Sequence, residues 1–229
     1  MVNKTSNIIA AILRHISIVL MSLTAAFTLL SGIGTSCVAL AAENFGAMAV
    51  LAPYQWLYIT FVVVTSAIGI LGVRAVVLLI RGRANGYRSA LIALVLGLVV
   101  GGVHMLVSRS LRGSSMPVDA VVYTTALTLL VFLIYRIPWI RDDINILNKD
   151  ESQSRISGGM SAIVVSAFIL SIHYWMAPTH TIQGVNYASA FETGMLVSGL
   201  GTAVVGISCL VWEACATTPG KKARFAQQK

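Results

Sequence analysis

Charge is what this sequence has least of. Of 229 residues only 10% are charged, with 8 Asp and Glu against 16 Lys and Arg, while 57% are apolar. Soluble domains carry roughly 25% charge, so a water-facing globular fold is excluded. A disordered chain is excluded by the same numbers, because disorder requires low hydrophobicity. Cysteine is equally scarce. Cys37, Cys209 and Cys215 are the only 3, too few and too scattered for a disulfide framework, and no CxxC pair is present.

Catalytic signatures are missing as well. There is no HExxH, GxSxG or Walker loop, and Gly32-Ile33-Gly34 lacks the strand and acidic partner of a dinucleotide site. No Asp or Glu falls in the middle of an apolar run, so a carboxylate relay for protons is not visible. The chain is expected to be non-enzymatic. Nucleic acid is not expected as a partner either, because the net charge of +8 is spread between apolar runs rather than gathered in a basic stripe.

What the chain does have is long apolar runs. A hydrocarbon core of roughly 30 Å needs about 20 helical residues, and six runs meet that length: 12–33, 55–80, 88–107, 118–136, 157–176 and 193–212. They are continuously apolar rather than alternating, which argues against a β-barrel. The fold class is therefore all-α, a polytopic transmembrane bundle of six spans in contact with the lipid bilayer.

Orientation follows from the basic residues, which collect in cytoplasmic segments. With the N-terminus inside, only Arg109 and Arg112 of the 16 Lys and Arg fall on the outer side. Both termini are then cytoplasmic and the expected location is the plasma (inner) membrane. Ala39-Leu40-Ala41 resembles a cleavage site, but the apolar stretch before it is too long for a secretory signal, so the first span is expected to be retained. The organisation reads as a four-span bundle over 1–140, a polar cytoplasmic linker over 141–156, a two-span hairpin over 157–216 and a basic tail over 217–229. The outer segment 34–54 is too apolar to float in water and is expected to lie at the interface or fold back, stopped by Pro53. No internal duplication is visible.

Two histidines lie on small-residue helix faces. Gly97, Gly101, His104 and Ser108 share one face of the third span, and Gly159, Ala162, Ser166 and His173 share one face of the fifth. Small residues mark close helix approach, so both rings are expected to face protein, at similar depth near the outer boundary. Their simpler role is buried hydrogen bonding; paired, they offer cofactor ligands for haem b, or for a metal if a third ligand joins them. His15 is expected to mark the inner interface. Around the outer level, Arg109, Arg112, Asp119, His180, Asn186, Tyr187 and Glu192 form a recognition candidate, within or near the 176–193 loop for the last four. Gly194, Ser198, Gly201 and Ser208 make a packing seam on the sixth span, suited to contacts within the bundle, to self-association or to other membrane subunits.

The leading expectation is a structural or accessory subunit of a membrane assembly. The alternatives are an electron-transfer subunit holding haem or quinone at His104 and His173, and a small-solute transporter or channel.

Overall fold

The computed structural model describes residues 4–44, 46–137, 150–182 and 184–217, and in these the regular structure is all helical apart from one hairpin of two two-residue strands. Among the described residues there are six α-helices: α1 (Lys4–Ala41), α2 (Gln55–Ile80), α3 (Gly86–Arg112), α4 (Val118–Ile134), α5 (Glu151–His180) and α6 (Glu192–Thr217). All but α4 are long and apolar enough to cross a membrane.

Helix α4 has 17 residues, about 25 Å of rise, and is shorter than the run 118–136 that predicts it. Its end is set locally. Arg136 and Ile137 donate to Leu133 and Ile134 in tightened turns, and Ile137 precedes Pro138, a position that disfavours further helix. The later part of segment 34–54 takes the fold-back course, one of its two expected alternatives. Helix α1 continues to Ala41, and two 3₁₀ turns, Ala42–Asn44 and Gly46–Tyr54, carry the chain to α2 with Pro53 inside the second. Met48 and Leu51 from that turn are buried in a cluster with Tyr58 and Phe61, which accounts for its apolar composition.

Close backbone approach organises the first pair. A Cβ on Gly69 would stand 2.8 Å from the Leu29 Cα, and one on Gly72 would stand 3.0 Å from the Ala25 Cβ. Gly32 meets Ser66 in the same way, so α1 and α2 run antiparallel along an extended seam. Helix α3 packs on α2 and α4, and α4 returns to α1, closing a four-helix unit. The core at the Arg14 end of this unit is apolar, built on Ile18, Met21, Leu79, Leu94 and Phe132. Helices α5 and α6 pair through Gly159 against Leu210 and Gly206, and through Gly199 against Leu170. This pair meets the unit through α5, whose Phe168 stands edge-on to Phe27 of α1 with ring centroids 4.1 Å apart.

Helix ends have identifiable stops. Asp150 caps α5 by accepting from the Ser152 amide at 2.9 Å. Gly113, at φ 72°, ends α3 in the left-handed conformation that glycine adopts without steric cost. Beyond α5 the chain forms a hairpin, Thr181–Ile182 against Val185–Asn186, turned by Gly184 at φ 82°. A 3₁₀ turn over Tyr187–Phe191 then leads into α6. Of the expected linker over 141–156, residues 141–149 lie outside the described residues, as does the tail beyond Thr217, while 151–156 form the first turns of α5.

Candidate functional site

The polar interior of the four-helix unit is laid out along one face of α1. Arg14, Ser17, Thr24, Thr28 and Ser31 recur at intervals of three, four or seven residues, which a helix places on one side. Arg14, Ser17, Thr24 and Thr28 are buried there. At one end of the unit, the Ser17 hydroxyl and the Tyr135 phenol share a hydrogen bond of 2.6 Å. Further along, Thr24 and Thr128 share one of 2.7 Å. At the opposite end, Tyr58 and Ser108 meet at 2.9 Å. Between the first two pairs the apolar cluster around Met21, Leu94 and Phe132 interrupts the polar file. Interhelical hydrogen bonds in membranes average about 0.6 kcal/mol, so Thr128→Val is expected to lower stability by roughly that much in a detergent unfolding titration. A loss above about 2 kcal/mol would contradict a simple pairwise bond.

His104 sits at the Tyr58 end and is 4% exposed. Its ring stacks on Phe61 at 4.3 Å and meets Tyr58 edge-on at 5.5 Å. It lines a small cavity together with Thr28, Ser31, Thr65, Gly97 and Gly101, and a second cavity, lined by Thr24, Gly72 and Thr125, adjoins it at Thr28 and Ile68. His173 belongs to α5, which packs on α1 and α6, whereas α3 packs on α2 and α4. The ring of His173 is edge-on to Tyr174, and its buried Nδ1 has no hydrogen-bond partner among the described residues. The two histidines therefore stand in different helix groups, each among its own neighbours. Among the described residues, no group of three or more His, Cys, Asp and Glu side chains is placed to hold a metal ion.

The recognition candidates divide. Arg109 in the last turn of α3 donates to Asp119 at 3.1 Å, to Ser115 at 2.8 Å and to Tyr123 at 3.3 Å, and Ser115 donates to Asp119 in turn. Asp119 lies in the first turn of α4, where the helix dipole favours an anion. Arg112 donates to the Met116 carbonyl at 2.6 Å. Together these contacts clasp the α3–α4 turn. His180 contacts the Met176 carbonyl at 3.2 Å, and burial lowers its pKa, because an imidazolium is harder to desolvate than an imidazole. The Asn186 side chain accepts from the Ala188 amide at 3.0 Å, and Glu192 is exposed at the start of α6. The side chain of Tyr187 lies outside the described residues. Arg109 and Asp119 are thus brought together, while His180, Asn186 and Glu192 belong to the α5–α6 connection.

The packing candidates differ in the same way. Gly97 and Gly101 meet Thr125 and Val122 of α4, Gly159 meets Leu210, and Ser166 donates to the Gly199 carbonyl at 2.7 Å. Gly194 and Gly201 have open space where a Cβ would stand, and the Ser198 hydroxyl turns back to the Gly194 carbonyl of its own helix.

A second polar group went unnoticed in the sequence. Arg14 is 2% exposed and donates to Ser157 of α5 at 3.1 Å, while His15 Nδ1 contacts the same hydroxyl at 2.7 Å. His15, expected only as an interface marker, therefore helps dock α5 on α1. Nearby, Glu213 of α6 is 6% exposed and accepts from Arg155 of α5 at 2.7 Å. The available signal was Arg14 in register with the hydroxyls of α1, and Arg155 and Glu213 at matching depth on adjacent antiparallel helices. No known family model, curated protein or solved structure matches this chain.

Proposed function

We propose that the chain is a six-span membrane protein with both termini in the cytoplasm, serving as a non-enzymatic accessory subunit of a larger assembly in the plasma membrane. In this reading α4 is the fourth span despite its length, its Arg109–Asp119 clasp lying at the outer surface. The asymmetry of basic residues supports the orientation. Helix α6 carries the subunit reading. Only 11% of its most apolar stretch is buried, against 44% in α1, and its uncovered face holds Gly194, Ser198 and Gly201, small residues that permit close helix approach.

The orientation has a direct test. A reporter active only in the cytoplasm is expected to work when fused after Arg83, after Lys149 or at Lys229, and to fail after Glu43, Arg112 or Gly184. Activity after Gly184 would overturn the six-span topology. Assembly is tested by the native mass after extraction in mild detergent. It is expected to exceed the 24.4 kDa of one chain and to fall to it when Ser198→Leu and Gly201→Leu are combined. A parent protein that runs as a single chain would refute the subunit reading.

A further inference from the structure

His104 is enclosed almost completely, yet no hydrogen bond joins its side chain to another described residue. The same holds for the hydroxyls of Ser31 and Thr65, and all three residues line one small cavity. A neutral imidazole has one donor and one acceptor nitrogen and a hydroxyl can do both. Leaving such groups dry in a protein interior costs far more than hydrating them. The cavity has room for about one water molecule, and the adjoining one beside Thr24 and Thr125 has room for about one more.

The occupant's chemistry follows from what surrounds it. No carboxylate lines either cavity, so a cation there would have no counter-charge. A bound cation is therefore disfavoured. An apolar occupant would leave three polar groups without partners. A neutral hydrogen-bonding molecule of water's size satisfies all of them.

We propose that His104, Ser31 and Thr65 form an internal water-binding site, continued past Thr28 by a second water beside Thr24 and Thr125. The hydrated file ends where Met21, Leu94 and Phe132 close the core, so it is a blind well inside the four-helix unit. The inference does not depend on assembly or orientation, because it rests only on contacts among α1 to α4.

The test uses the full chain in lipid nanodiscs with ¹⁵N-labelled histidine, the His104 signal being assigned by its loss in His104→Gln. Magnetisation transfer from water to the ring is measured. Transfer to His104 is expected to be as fast as to a solvent-exposed histidine, although the ring is enclosed. Gly97→Ala places a methyl group in the cavity at ordinary contact distance from Thr125 and Ile68, and should slow the transfer at least threefold while the spectrum stays folded. Thr65→Val, which removes one hydroxyl without changing volume, should also slow it. Absence of transfer to His104 in the parent protein would overturn the proposal. Transfer undiminished in both variants would overturn it equally, by showing that water reaches the ring elsewhere.

Discussion

Gly69→Leu is expected to destabilise the protein more than any other single glycine replacement, by about 3 kcal/mol, the upper part of the usual range for overpacking. Two distances set this apart from an ordinary surface change. A Cβ at Gly69 would lie 2.8 Å from both the Cα and the backbone nitrogen of Leu29. Helix backbone cannot swing aside as a side chain can, so α1 and α2 must separate along the seam that also holds Gly32 and Gly72. Thermal unfolding in detergent should show a clear drop for Gly69→Leu, while Gly201→Leu, with open space at its Cβ position, should melt like the parent when the chain is alone. Parent-like melting of Gly69→Leu would mean that α1 and α2 are not in this register.

The contrast between Gly69 and Gly201 also marks where sequence reading stops. Apolar runs give the helices because hydrocarbon length and helical rise are fixed quantities, and the run 55–80 coincides with α2. Composition of one face indicates only that close approach is possible. Gly194, Ser198 and Gly201 have the same composition as the seams that pack, but Gly199 and Gly206 are the residues that meet α5. Which of two small-residue faces turns inward depends on the partner helix, and one span's periodicity contains no information about its partner.

The site divides similarly. His104 on a protein-facing surface follows from Gly97, Gly101 and Ser108, and the ring is enclosed as that face implies. Its neighbours do not follow, because Phe61 and Tyr58 come from α2, and Thr28 and Ser31 from α1. Equal depth allowed His104 and His173 to be paired on paper. Depth is one coordinate of three, and the helix order around the unit supplies the other two. Arg14 stands near the start of the run 12–33 and Glu213 just past the run 193–212, positions where charge is inexpensive and burial leaves no mark in the sequence. Their burial comes from α5, which reaches both through Ser157 and Arg155.

Replacement of Ser157 by Ala should have the second largest effect and should loosen a particular junction. Ser157 is fully buried and its hydroxyl meets both Arg14 and His15. A bond to a charged group is worth about 1.5 to 3 kcal/mol in general, but measured interhelical bonds within membranes reach only about 1.7 kcal/mol. About 2 kcal/mol for the pair is the expected loss. It should fall on the docking of α5 and α6 against the four-helix unit, because the hydrogen bonds that the Ser157 side chain makes beyond its own helix go to α1. Cysteines introduced as Gly34→Cys and Met176→Cys report this docking at the other end of α1, where a Cβ at residue 34 stands 3.9 Å from the Met176 side chain. With Cys37, Cys209 and Cys215 replaced by Ser, that pair should crosslink several-fold more slowly when Ser157→Ala is added. A pair bridging α1 and α2 at Leu29 and Gly69 is unsuitable as a control, since any side chain at Gly69 separates those helices. Tyr58→Cys with Ser108→Cys, which joins α2 to α3 away from the junction, should keep its rate. Equal slowing of both pairs would indicate general unfolding, and no slowing of either would show that the Arg14–His15–Ser157 contact does not hold the two parts together.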